Sequence, residues 1–274
     1  MGAAIARTLS GTANVTGWSR MAGKRPELAA TVRLAPTAAD AVEATNLVIT
    51  SVIDNAAVLS ILGSLAGKLN GRVVVNMTNG TPEEARGLAQ IVVAQGGSYI
   101  HGAIMAVPPM LGSPAAHILY SGPEAAYRSV APVLAGLGSP QFMGQDPGRA
   151  SLFELGLLSI MYGLYGGFFH AAATVDVEGQ SLDELATLAM PWVQGLAGAL
   201  PRLAQQMSSK SYDGDVPSSL GMQATGMDHY SAWSQSHGIS GGLLEPLRQL
   251  MAERVAAGFG NQGIASVFEV IKSH

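Results

Sequence analysis

The sequence predicts an α/β chain in two parts: a parallel sheet wound with helices, then a portion built of helices alone. Three observations predict it. Short β-rich runs alternate with helical stretches from Val15 to Met143. After Gly148 the β signal fades, and Gly, Ser and Asp breaks separate purely helical stretches. Between the parts lies an apolar run, Leu155 to Ala173, without a charged residue, inside a span from Leu69 to Ser209 that has no lysine. The domains are therefore read as 1–148 and 149–274, the second beginning with a long interdomain helix. At 274 residues and 48% hydrophobic, the chain has the material for two such cores.

Taken in order, Ala3–Leu9 reads as a helix and Val15–Ser19 as a strand. Helix Ala38–Ala44, strand Leu47–Val52, helix Ala56–Leu65 and strand Val73–Met77 come next. Helix Thr81–Gln95 has a clear start: a Thr cap, Pro at the first turn, and Glu83 and Glu84 facing the positive end of the dipole. Strands Ser98–Ile100, His117–Ser121 and Pro140–Met143, with helix Pro123–Gly136, complete the first part. Beyond it, Ala150–Val177, Leu182–Ser209, Ser218–Ser236 and Leu243–Gly258 read as helices.

Bulk chemistry excludes several roles. Net charge is −4 with no basic tract, so nucleic acid is not an expected partner. With no cysteine, disulfides and thiolate–metal sites are closed. No second His or acid stands at metal spacing around His101 or His170, so no metal is expected. Leu155–Ala173 is long enough to span a bilayer. Yet it holds Ser159, Tyr162, His170 and Gly156, Gly163, Gly166 and Gly167, and its flanks are Glu154 and Asp176 rather than Lys or Arg. A helix buried on nearly all sides, between domains or subunits, is expected instead of a membrane span. No secretory signal opens the chain, and a cytoplasmic enzyme is expected.

The first part carries signals of a dinucleotide site. In such a unit a strand feeds a G-x-G-x-x-G turn and a helix. Here Met1-Gly2-Ala3-Ala4-Ile5-Ala6 matches the stretch after the second glycine, with Gly2 as the third. The strand and the first two glycines are missing, a loss expected to leave two neighbouring strands unpaired. The natural chain is therefore expected to begin upstream of Met1, or to have been trimmed there. The alternative is that Met1–Leu9 is an ordinary amphipathic helix. Strand Val15–Ser19 ends in Ser19 and Arg20, with Lys24 and Arg25 beyond, where an NAD site places an acid on the ribose 2′-hydroxyl. Cations and a hydroxyl suit the 2′-phosphate of NADP. Ser51 and Val52, and Asn76 and Asn79, lie just after strands at the edge where ligands of such sheets bind, though each Asn also reads as a turn former.

Four segments carry a resemblance: Trp18-Ser19-Arg20, Asn76 to Glu83, Gly102 to Pro114 with its Met105–Pro109 run, and Ala150 to Leu158 continued by Met161-Tyr162-Gly163. Together they resemble the NADPH-dependent imine reductases and reductive aminases of the β-hydroxyacid and 6-phosphogluconate dehydrogenase superfamily. The resemblance implies a Rossmann-type domain lacking its first strand here, a long interdomain helix and an all-α domain for dimerisation and substrate. It implies an intertwined homodimer that exchanges helical domains. NADPH would be held by Gly2, Ser19, Arg20, Lys24, Ser51, Val52, Asn76, Asn79 and Met105. The family's acid position, usually Asp and in some members Tyr, falls on Glu154, its tyrosine on Tyr162, and the amide of the reductive-aminase branch on Gln223.

Hydroxyacid dehydrogenases of that superfamily use a lysine on the interdomain helix, which this chain lacks there. A C=N bond has another need: it takes hydride best as the iminium cation, which a carboxylate stabilises while holding its proton. Glu154 supplies that carboxylate. Tyr162, about 12 Å further along a helix axis, is assigned to orienting substrate or relaying a proton. The plainer readings are a helix-start carboxylate behind a cap at Ala150 or Ser151, and a buried aromatic paired to backbone. Val107, Met161, Phe168, Trp192, Met222 and Trp233 are candidates for an apolar substrate pocket. The expected activity is reduction of imines to amines, with ketone plus amine as further substrates. A hydroxyacid-type dehydrogenase and a non-catalytic dinucleotide-binding scaffold are the competing readings.

Overall fold

The computed structural model describes residues 1–20, 29–214 and 216–273. The chain divides into two compact units, Met1–Ser159 and Ile160–His274.

In the first unit the order is α1 (Gly2–Ser10), β1 (Thr16–Gly17), β2 (Arg33–Leu34), α2 (Ala38–Glu43), β3 (Leu47–Thr50) and α3 (Asn55–Ser64). Then come β4 (Val73–Asn76), α4 (Pro82–Ala94), β5 (Ser98–Met105), β6 (His117–Ser121), α5 (Glu124–Leu134), β7 (Ser139–Phe142) and the start of α6 (Gly148–Asp176). Local chemistry sets three of these helix starts. Thr37 with Asp40, and Thr81 with Glu84, form capping boxes at α2 and α4, and Asp54 caps α3.

The main sheet has five strands in the order β3-β4-β5-β6-β7. β3, β4 and β5 run parallel, β6 turns antiparallel to β5, and β7 is parallel to β6. The expected parallel arrangement holds from β3 to β5 and reverses at β6. β5 also runs to Met105 rather than ending at Ile100, because its second half pairs with β6, a non-local contact that Gly102 and Ala103 do not announce. β1 and the unforeseen β2 form a separate two-stranded parallel sheet. Among the described residues no strand pairing joins this small sheet to the five-stranded one.

Alternation along the strands divides the core between two faces. Val75, Ile100, Ile118 and Tyr120 pack with Ile5 and Leu9 of α1 and Leu134 of α5. Val74 and Tyr99 pack on the other face with Val58 and Leu62 of α3 and Leu88 and Val92 of α4. Ala150 of α6 joins Ala103 and Leu119 in a third, smaller cluster.

The second unit holds the rest of α6, α7 (Leu182–Ala197), α8 (Leu200–Ser209), α9 (Leu220–Ser236), α10 (Glu245–Arg254) and the unforeseen α11 (Phe268–Ser273). The single helix expected over Leu182–Ser209 is two, parted at Gly198 and Ala199 with Pro201 in the first turn of α8. The helix expected to Gly258 is regular only to Arg254, and Gly258 has φ 93°. Leu220, Met251 and Val267 form a small core.

The sequence places α6 between domains or subunits, and the single chain supplies only part of that burial. The helix is long and apolar enough, by length and composition, to cross a membrane. Its own chain does not bury it: Leu152, Ile160, Leu164, Tyr165 and Phe169 are all exposed. The physical reason is that each unit closes a core of its own, and only Gly148, Ala150, Ser151, Glu154 and His170 of the helix are buried.

Candidate active site

Neighbouring strands bring one polar residue each to a single row. Thr50 on β3, Asn76 on β4, His101 on β5 and Ser121 on β6 stand in register, and all are buried. Thr50 and Asn76 are the last residues of their strands, so the row lies at the carboxyl edge where open α/β sheets bind ligands.

A buried polar row is costly unless its groups find partners. Asn76 links most of it. Its Oδ1 accepts from Thr50 Oγ1 at 2.8 Å and from the Thr78 N–H at 3.1 Å. Its Nδ2 donates to Asn55 Oδ1 and to the Tyr99 hydroxyl, both at 3.1 Å. Asn55 Nδ2 in turn donates to Glu84 Oε2 at 3.1 Å. The Thr81 N–H first, and the Asn55 amide second, hold the Glu84 carboxyl below the usual carboxylate range. Burial drives the Tyr99 hydroxyl far above its ordinary value, so it remains a protonated donor, 3.3 Å from His101 Nδ1.

Helix α6 begins against this row. The Ala150 N–H donates to Ser121 Oγ at 3.0 Å, and that hydroxyl donates to the Pro147 carbonyl at 2.8 Å. The Ser151 hydroxyl donates to the carbonyl of Gly80. These anchors set the helix so that Glu154 turns in over β5. Its Oε2 lies 3.9 Å from His101 Nε2, the residue is 5% exposed, and neither atom has a hydrogen-bond partner among the described residues. Because α6 starts at Gly148, Glu154 sits beyond its first turn, which removes the plainer reading of a carboxylate on the helix N-terminus.

Among the described residues, those proposed for a cofactor lie at a helix start or at strand ends, and one of them is an exception to that role. Gly2 opens α1, which has no acid in its first turn and no side-chain cap. A Cβ on Gly2 would stand 3.1 Å from the Ser51 carbonyl, so helix and strand end meet closely there. Ser19 and Arg20 come after β1 and are exposed, and Asn79 is exposed after β4. The Val52 N–H donates to Thr78 Oγ1 at 3.2 Å, and Met105 ends β5 partly buried. Lys24 lies outside the described residues. Asn76 is the exception and a correction: it is fully buried and both its amide atoms are committed within the fold, leaving none to offer a ligand.

Val107 is exposed on the loop after β5. In the second unit Tyr162 is 67% exposed, so the reading of a buried, backbone-paired aromatic does not apply to it. Trp192 and Met222 are exposed, while Met161 and Phe168 are half-buried. Trp233 stacks on His237 with ring centroids 4.1 Å apart. Gln223 donates to the Ser218 carbonyl at 3.0 Å and lines, with Arg202 and Gln206, a cavity of about 180 Å³. Among the described residues no group of three metal-ligating side chains gathers. Sequence reasoning missed His101, Tyr99 and Asn55 as partners of the site. The available signal was Tyr99 and His101 at alternate positions of an otherwise apolar strand, which puts both polar groups on one face.

Both parts of the chain match known proteins. Residues 146–273 match the family model of the NADPH-dependent reductive aminase-like C-terminal domain, and residues 1–145 that of the NAD binding domain of 6-phosphogluconate dehydrogenase. An NADPH-dependent reductive aminase from Aspergillus oryzae is 36% identical over 261 residues, covering 93% of this chain and 88% of that protein. The structure of a reductive aminase from Aspergillus terreus in complex with NADPH and ethyl levulinate superposes with a TM-score of 0.93 at 41% identity, over 99% of this chain and 95% of that one. An imine reductase from Pseudomonas sp. gives a TM-score of 0.93 at 27% identity, over 99% and 96% of the two chains. With its Rossmann-like first part and helical second part, the chain belongs to the NADPH-dependent reductive aminase and imine reductase family.

Proposed function

We propose that Glu154 is the group this chain sets against the C=N bond in the NADPH-dependent reduction of imines to amines, the reaction of its family. Imines formed from a ketone and an amine belong to the same substrate class. One observation carries the reading: a buried carboxyl group, one oxygen unpartnered, lies over the carboxyl edge of β4 and β5. A carboxylate there stabilises a cationic carbon–nitrogen double bond and holds its proton, and a low-dielectric setting strengthens the attraction. The span Leu69–Ser209 offers no lysine to serve a hydroxyl substrate instead.

The chain's residues fit NADPH. The uncapped start of α1 at Gly2, close to Ser51, presents free N–H groups and the positive end of the helix to a pyrophosphate. Arg20 with Ser19 supplies charge and a hydroxyl for the 2′-phosphate, with no acid between Thr16 and Arg20 to oppose it. Ser51, Val52, Asn79 and Met105 line the strand ends beside them. When bound, NADPH supplies the hydride. Tyr162 orients the substrate, and Val107, Met161, Phe168, Trp192, Met222 and Trp233 with Gln223 shape its apolar surroundings. The exposed apolar residues of α6, with Leu188, Met190 and Trp192 of α7, support a homodimer in which a second copy covers them. Sedimentation at micromolar concentration would show a single species of twice the chain mass.

The test is NADPH consumption with 1-pyrroline by the parent, Glu154→Ala and Tyr162→Phe. Glu154→Ala is expected to lose about a hundredfold or more in kcat, the scale of removing a charge-stabilising group. Tyr162→Phe is expected to lose about tenfold. Parent rates in both variants would remove the assignment.

A further inference from the structure

We infer that His101 is a positioning residue for Glu154: its imidazole, locked as the neutral Nε2–H tautomer, turns a fixed donor toward the carboxyl group. The inference rests on the reading of Glu154 as the group set against the C=N bond.

The tautomer is dictated by a chain of hydrogen bonds whose direction is set at one end. The Thr78 backbone N–H can only donate, so Asn76 Oδ1 accepts and Asn76 Nδ2 must donate. One of those donations goes to the Tyr99 oxygen at 3.1 Å. The Tyr99 hydroxyl, kept protonated by burial, then has its own proton to give, and His101 Nδ1 at 3.3 Å is the acceptor. With Nδ1 accepting, the imidazole carries its proton on Nε2. That atom faces Glu154 Oε2 at 3.9 Å, and both are buried without other partners among the described residues.

The neutrality of the donor matters for the chemistry. A proton on Nδ1 as well would set an N–H against the Tyr99 O–H and leave that hydroxyl without an acceptor inside the fold. An imidazolium would also pair with the carboxylate and compete with the cationic C=N for it. A neutral N–H orients the carboxylate and leaves its charge to the substrate. At 3.9 Å the contact is longer than a hydrogen bond, and hydrogen bonds of this kind tighten when substrate is bound.

The test combines spectroscopy on the unmutated protein with kinetics. Ring ¹⁵N resonances of His101 should report protonated Nε2 and bare Nδ1, and in Tyr99→Phe a mixture of tautomers. With 1-pyrroline and NADPH, His101→Leu should lower kcat roughly tenfold to hundredfold, the scale of one hydrogen bond to a charged group, leaving the KM for NADPH unchanged. His101→Gln, whose amide nitrogen replaces Nε2, should recover most of that loss. Adding His101→Leu to Glu154→Ala should cost nothing further, because the first residue acts through the second. A protonated Nδ1 in the parent, or a further loss in the double variant, overturns the inference. So does a folded His101→Leu with parental kcat while Glu154→Ala is inactive, and in that case the reading of Glu154 stands. Parental kcat in Glu154→Ala instead removes that reading and this one with it.

Discussion

Asn76→Ala tests the buried row from the side of stability. Asn76 is fully buried and makes four hydrogen bonds, with Thr50 Oγ1, the Thr78 N–H, Asn55 Oδ1 and the Tyr99 hydroxyl. Truncation deprives the Thr78 N–H and the Thr50 hydroxyl of their acceptor, and Thr78 and Thr50 are themselves buried. An orphaned buried donor costs about 1–3 kcal/mol. The Asn55 and Tyr99 oxygens each lose a donor, while the Tyr99 hydroxyl keeps His101 Nδ1 and Asn55 keeps Glu84 through its Nδ2. A water entering the vacated space would return part of the loss, since the site is polar and has the partners to hold one. The sum is about 3–5 kcal/mol, near the upper end for point substitutions. For a unit of this size each kcal/mol moves the midpoint by roughly 2–4 °C, so the first unit should melt about 10 °C lower or more. Calorimetry on the whole chain measures this, with Asn79→Ala, three residues away and exposed, as control. The control should shift by no more than about 0.5 kcal/mol. A loss under about 1 kcal/mol in Asn76→Ala, or equal losses in the two variants, refutes the view that Asn76 is internal wiring.

The remaining predictions concern charge, backbone and cofactor. Glu245 is held at about 2, far below its ordinary 4.5, first by the Arg248 guanidinium. Its folded value is depressed, so its stabilisation is complete above about 4.5 and is lost as pH falls toward 2. Glu245→Gln should flatten the acid limb of stability across that window in a circular-dichroism titration, and parallel limbs would count against the ion pair. Gly138 has φ 154°, and a Cβ there would fall 2.2 Å from the Ala116 carbonyl oxygen. Gly138→Ala should cost more than about 2 kcal/mol in urea unfolding, and a neutral result contradicts the backbone geometry between β6 and β7. Arg20→Ala should raise the KM for NADPH about tenfold while leaving that for NADH nearly unchanged; equal changes for both would place Arg20 away from the 2′-phosphate.

Elements with strong local chemistry are legible in the sequence. Thr81, Pro82 and Glu84 announce the start of α4, and His117–Ser121 reads as β6 from its composition alone. The break between α7 and α8 is written in Gly198 and Pro201 but masked by the hydrophobic period running through them. Glu154 is legible as a lone carboxyl on an apolar helix. Its partner is not, because a histidine on a strand carries no sign of which helix will cover it.

The amino-acid order by itself determined where most of the helices and strands of this protein lie, though not β2, α11 or the second half of β5, and that a carboxyl group rather than a lysine stands near the start of α6. These depend on caps, periodicity and composition, all settled within a few residues of chain. Only the tertiary structure decided that β6 reverses against β5, that Asn76 turns inward, that α6 keeps its apolar residues uncovered by its own chain, and that His101 faces Glu154. Those are pairings between segments far apart in sequence, chosen by the free energy of burying and satisfying whole surfaces together, and no local propensity encodes them.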